Sequence, residues 1–163
     1  MSGANGHYRV ETPMLIDSNI IIYAAQPQHE SLREFIALQA PAVSAVSYVE
    51  VLGYHKLSDA EKRHFESFFA EATVLPLSQP VLDQAVILRQ QKKITLGDAL
   101  IAATCLVHGL TLVTHNVDDF KWISGLALMN PLLQDLSLIH ISAARCPSRL
   151  VPYRQPAPQA PTR

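Results

Sequence analysis

A chain of 163 residues, 48% apolar and 17% charged, is long enough to build one domain with a substantial core and too apolar to remain disordered. No apolar run approaches the ~18 residues a membrane span needs, and the N-terminal stretch lacks the apolar centre of a signal peptide, so a cytoplasmic protein with no membrane contact is expected. The net charge of −1 hides an uneven distribution: residues 14–134 hold 12 acids against 8 Lys/Arg, which argues against a surface that grips nucleic acid by charge alone, but not against a nuclease whose acids are neutralised by cations.

Taken in order, residues 1–13 show no periodicity and read as a flexible leader, with Met14 a candidate start. Met14-Leu15-Ile16 then forms a short apolar run that ends in Asp17, and a second apolar run begins after Ser18-Asn19. This is the pattern of a buried strand that delivers a carboxylate at its C-terminal end, followed by a helix over 20–25 capped by Ser18 or Asn19. A helix is expected over 29–39, ended by Pro41, and a strand over 42–46. Ser47 is placed as the cap of a helix over 48–56, and Ser58 with Glu61 forms a capping box for a helix to about residue 70, with Phe65, Phe68 and Phe69 on its core face. A strand follows over 73–77, kept short by Pro76. The next helix, started by Ser78 and Pro80, runs to about residue 91 with Leu82, Ala85, Val86 and Leu88 as its inner face. Residues 95–108 are Ala-rich and apolar nearly all round, as a central helix packed on a sheet should be, and Gly109 stops them. A strand over 110–114 leads into His115-Asn116-Val117-Asp118-Asp119-Phe120, and 125–131 reads as a short edge strand.

Strands alternating with helices imply crossover units and a parallel sheet covered on both faces: an α/β fold with three layers, α/β/α, and four to five strands. The rhythm stops near Leu136. Five of the chain's 11 prolines lie between Pro147 and Pro161, and residues 134–163 read by composition as a disordered Pro/Arg-rich tail. Leu136 to Ser142 also looks like translated vector sequence, so the domain is expected to span 14–133.

In a parallel sheet, strand C-termini and the N-termini of the following helices share one edge. Asp17, Glu50, Asp98 and the Asp118-Asp119 pair all fall at that rim. Singly, Glu50 and Asp98 also suit the dipole of a helix start. Both, however, stand among apolar neighbours, Tyr48-Val49 and Val51-Leu52 for Glu50, Leu96 and Ala99-Leu100 for Asp98, with few Lys or Arg nearby. A semi-buried carboxylate needs a partner, and a hard cation, Mg²⁺ or Mn²⁺, is the economical one. The seven histidines do not fall at zinc spacing, and no Gly-rich phosphate loop is present. Three or four carboxylates around Mg²⁺ suit phosphodiester hydrolysis.

The segments Leu15 to Tyr23, Ser47-Tyr48-Val49-Glu50-Val51-Leu52-Gly53, Leu96-Gly97-Asp98-Ala99-Leu100-Ile101-Ala102-Ala103-Thr104 and Leu112-Val113-Thr114-His115-Asn116-Val117-Asp118-Asp119-Phe120, in that order, resemble a PIN-domain ribonuclease of the VapC toxin type. The resemblance implies a Mg²⁺-dependent endoribonuclease, the toxin of a toxin–antitoxin pair, forming a homodimer and neutralised by a small antitoxin that docks on the helices of residues 29–70. It implies Asp17 and Asp98 as metal ligands, Glu50 as a third acid and Asp119 as a metal- or water-positioning residue. Asn116 would support Asp119, Thr114 would orient the acids, and Ser18 and Asn19 would hold the Asp17 carboxylate. A catalytically inactive PIN-like interaction module and a housekeeping RNA-processing nuclease are the alternatives. A phosphorelay receiver would show paired acids ahead of Asp17 and a late Lys, and a haloacid-dehalogenase-type phosphatase would show Asp where Asn19 stands; neither pattern is present.

Overall fold

The computed structural model describes residues 12–133. The expected tail, and all but the last two residues of the expected leader, lie outside the described residues. The elements run β1 (Met14–Ile16), α1 (Ser18–Ala24), α2 (Glu30–Gln39), β2 (Ala42–Ser44), α3 (Ala45–Leu52), α4 (Asp59–Glu71), β3 (Val74–Leu75), α5 (Gln79–Gln91), α6 (Leu96–His108), β4 (Thr111–Val113), α7 (Val117–Phe120) and β5 (Leu128–Met129).

All strands are parallel, in the order β3-β2-β1-β4-β5. Neighbouring residues of a strand face opposite sides of a sheet, and here each side finds its own cover. Leu15 and Leu112 pack with α5, α6 and Phe120 of α7, whereas Ile16, Val43 and Val113 pack with α1, α2 and α4. This is the expected three-layer α/β/α arrangement. The chain leaves β1 towards β2 and β3, then crosses back to β4 and β5. The reversal falls between β1 and β4, and in such sheets the crevice outside the strand C-termini at that point is where ligands bind. None of the helices among the described residues is long and apolar enough to cross a membrane.

Local chemistry explains most boundaries. Ser58 and Glu61 form the expected capping box at α4. Gly109 ends α6 in the left-handed region at φ 64°, where a side chain would be strained, and the Leu110 N–H donating to Cys105 O at 2.9 Å turns the chain into β4.

Four expectations need correction. Helix α1 starts at Ser18 with Asp17 in the capping position, and neither Ser18 nor Asn19 serves as its cap. Ser44, not Ser47, caps α3: its hydroxyl accepts from Val46 N at 3.2 Å, so the helix begins three residues early and ends at Leu52. The inner face of α5 is Val81, Ala85 and Leu88, while Leu82 and Val86 are exposed. Residues 117–120, for which the sequence pattern predicts no element, form the short helix α7.

Candidate active site

Asp17 stands at the crevice because β1 ends there. Its N–H donates to Val113 O at 3.0 Å, prolonging the ladder with β4, and its carbonyl accepts from Ile20 N at 3.0 Å, opening α1. The side chain caps nothing. It is turned inward, 4% exposed, and its Oδ2 accepts from the fully buried Thr114 hydroxyl at 2.9 Å, while the Ser18 N–H also donates to the carboxylate. Burial pushes the Asp17 pKa above its ordinary 3.8; the bonds from Thr114 and Ser18 pull it down, and the charges of Asp98 and Glu50 push it up again. Those two carboxylates are therefore close enough to be felt at Asp17. The ion pairs among the described residues are Lys62–Glu66 and Lys121–Asp118, so no Lys or Arg neutralises the three acids.

Glu50 reaches the site from α3. It is exposed rather than half-buried, with Tyr48 and Val49 beside it also turned to solvent, so the expected apolar enclosure is corrected. It is held nonetheless. The Ser18 hydroxyl hydrogen-bonds Glu50 Oε2 and lies 3.0 Å from the fully buried Ser47 hydroxyl. A carboxylate only accepts, so Ser18 donates to Glu50 and Ser47 supplies its own proton to Ser18. The chain Ser47–Ser18–Glu50 ties α3 to α1. Gly97, in the first turn of α6, lies so close that a Cβ there would collide with Glu50 Oε1. The missing side chain is what brings the start of α6, with Asp98, beside Glu50.

Asp98 is half-buried and engaged with the cap of its own helix: Thr95 Oγ1 accepts from Asp98 N at 3.1 Å and donates to Asp98 Oδ2 at 2.6 Å. Asp119 is exposed on α7 and is not among the charges felt at Asp17. Its N–H donates to Asn116 O at 3.1 Å, and its own carbonyl accepts from Trp122 Nε1 at 2.9 Å. Asn116 contacts the site through its backbone, its N–H donating to Thr114 Oγ1 at 3.1 Å. Asp118 turns to Lys121 at 2.7 Å.

The crevice thus gathers Asp17, Glu50 and Asp98, with Ser18 and Thr114 as their supports, and leaves Asp119 and Asn116 at its margin. Asn19 makes no side-chain hydrogen bond among the described residues. Ser47 and Gly97 are contributors that sequence reasoning did not single out as part of the site. The signal for Gly97 was a glycine inside a helix start, a costly place for it, immediately before an acid. Among the described residues, no three His, Cys, Asp or Glu side chains converge into a ready cage for a metal ion. The donor set nevertheless fits magnesium. It is all oxygen, no ammonium or guanidinium competes for it, and magnesium typically takes one or two carboxylates and completes its shell with water and substrate phosphate rather than a protein cage.

Comparison with known proteins identifies the family of the fold. The family profile described as PIN domain matches residues 14–126. The chain is 32% identical over 136 residues to Ribonuclease VapC1 of Rickettsia felis, covering 75% of this chain and 98% of that protein. Among solved structures, a toxin–antitoxin complex from Klebsiella pneumoniae is similar at 27% identity and a TM-score of 0.59, with 72% of this chain and 97% of that one covered. VapBC2 from Rickettsia felis, bound to a DNA fragment from its promoter, shares the fold at 24% identity and a TM-score of 0.64, over 72% and 97% of the two chains.

Proposed function

The chain belongs to the PIN-domain family, and on that footing we propose that it is an endoribonuclease that hydrolyses RNA phosphodiester bonds with the help of Mg²⁺, and that it acts in the cytoplasm as the toxin of a toxin–antitoxin pair. The observation that carries the reading is Asp17: a buried carboxylate at the sheet's reversal point, with Asp98 and Glu50 charged beside it and no Lys or Arg to balance them. Three acids crowded without a cation are costly unless a cation is what they are for.

In this reading Asp17 and Asp98 hold the metal. Thr114 and the Ser18 N–H fix the Asp17 oxygens, so its orientation does not depend on the ligand. Magnesium, when bound, offsets the acids' charge and polarises the scissile phosphate and the attacking water. Glu50, its Oε2 tied to Ser18, takes the water proton through Oε1. Asp119, at the margin, positions water or the metal from outside.

Two partners complete the proposal. The antitoxin docks on the helices of residues 29–70, where Leu38 and Tyr54 leave apolar surface exposed. A homodimer would cover the apolar side chains left exposed on α3 and α5, among them Val49, Val86 and Ile87.

The test of the nuclease is cleavage of single-stranded RNA by the purified chain in Mg²⁺, abolished by EDTA. The test of the toxin role is growth arrest of a bacterial host on expression, relieved by co-expression of the cognate antitoxin. Absence of metal-dependent cleavage contradicts the first; undisturbed growth contradicts the second.

A further inference from the structure

At the same rim as the carboxylates, three ring side chains stand outside the acid cluster, and one of them, Tyr23, also packs against the core of the α1 layer. Tyr23, in the last turn of α1, is half-buried; its ring centroid lies 5.8 Å from that of His115, edge-on at 82°, and 5.8 Å from that of His29, tilted at 45°. His115 is exposed and directly follows Thr114, the residue that grips Asp17, so it starts about 3.8 Å further along the chain. Strand alternation explains the meeting. Val113 packs on the α1 side of the sheet, Thr114 turns away, and His115 returns to the α1 side, where Tyr23 stands. The His115 backbone is fixed by Asn130 Nδ2 donating to its carbonyl at 3.4 Å. None of the three rings makes a side-chain hydrogen bond or ion pair among the described residues.

We propose that the exposed His115 ring, braced edge-on by Tyr23 with His29 flanking Tyr23, is a stacking ledge for one unpaired nucleobase of the RNA, beside the phosphate presented to Asp17. The inference rests on the ribonuclease reading and adds how the substrate is held. The body of the chain has 12 acids against 8 Lys/Arg over residues 14–134, so phosphate attraction alone cannot supply the affinity. Stacking on Tyr and His faces is the charge-independent alternative, and it is how unpaired RNA bases are commonly taken.

The experiment uses the full chain and a fluorogenic single-stranded RNA decamer in Mg²⁺. Cleavage by the wild-type chain is the first reading; if it is absent, the nuclease reading falls and not the ledge alone. With cleavage present, Tyr23→Ala and His115→Ala raise KM about 5- to 100-fold with kcat within about twofold, the loss expected for one stacked base. Tyr23→Phe and His115→Phe keep the wild-type KM, because they keep a ring. In metal-free buffer, irradiating the wild-type chain with a 5-iodouridine-labelled decamer places the adduct on Tyr23 or His115 by mass spectrometry. An unchanged KM in both alanine variants, a loss confined to kcat, His115→Phe behaving like His115→Ala, or adducts confined to other elements each overturns the ledge. His115 is exposed, so its alanine variant tests the proposal even if Tyr23→Ala fails to fold.

Discussion

Asp17 is held in the fold against its own preference for water. It is 4% exposed, it feels two further carboxylates, and only hydrogen bonds from Thr114 and Ser18 offset the loss of solvent. Asp17→Asn keeps an oxygen for the Thr114 hydroxyl and removes the buried charge. We therefore expect it to melt several degrees higher than wild type in EDTA, about the shift that 1–2 kcal/mol gives a domain of this size, while losing cleavage. A lower melting temperature in calorimetry would contradict the electrostatic account. Asp17 and Asp98 were legible in the sequence because each acid interrupts an apolar run at a place where strand and helix must meet the rim. The surroundings of Glu50 were not. Tyr48 and Val49 are apolar neighbours in sequence, yet they point outward from α3 at 47% and 67% exposure. Ser47 and Gly97 escaped for a related reason: each acts through a contact with a residue 29 or more positions away, Ser18 and Glu50 respectively.

The helices show where local pattern stops deciding. In Ala42-Val43-Ser44-Ala45-Val46-Ser47 the local pattern points to Ser47 as the helix cap, although the same side chain stands three residues ahead at Ser44. Ser44 caps, and Ser47 is drawn instead into the bond with Ser18. On α5, apolar residues at 81, 82, 85, 86 and 88 make two overlapping stripes, and contact with α6 selects Val81, Ala85 and Leu88. The junction of α3 and α6 gives a test that separates activity from stability. Gly97→Ala improves the intrinsic helix propensity of α6 by about 1 kcal/mol, but its methyl group meets the Glu50 carboxylate. We expect kcat to fall at least tenfold with the melting temperature unchanged or raised; full activity would remove Glu50 from the site. On α4, the pKa of His64 lies below its ordinary 6.5 through burial and the nearby Arg33 guanidinium. Arg33 is itself fixed, donating to the carbonyls of Ala24, Gln26 and Pro27 at the end of α1. A depressed folded pKa means that the contribution of neutral His64 is present above pH 6.5 and lost as pH falls through the folded value. His64→Gln should flatten the fall in urea midpoint below pH 6.5; an unchanged slope would show that the pair has no energetic consequence.

At the scale of the molecule, the alternation of short apolar strands with helices made the parallel three-layer architecture legible, because crossover connections leave little else. Strand order was beyond that pattern: nothing local tells β4 to return beside β1, and it is this return that creates the crevice and brings Thr114 to Asp17 across 97 residues. The second apolar stripe of α5 is left uncovered in the single chain, with Leu82 and Val86 at 38% and 54% exposure. If it forms the homodimer face, the wild-type chain sediments as a dimer and the double variant Leu82→Asp, Val86→Asp as a folded monomer. Identical sedimentation of the two would place the dimer contact elsewhere or nowhere. The most direct test of the whole account is single-turnover cleavage of RNA by the wild-type chain and by Asp17→Asn and Asp98→Asn, with circular dichroism recorded on the same samples. Cleavage is expected from the wild-type chain in Mg²⁺ only, and none from either variant at an unchanged spectrum. Cleavage by a folded Asp17→Asn or Asp98→Asn chain would contradict it.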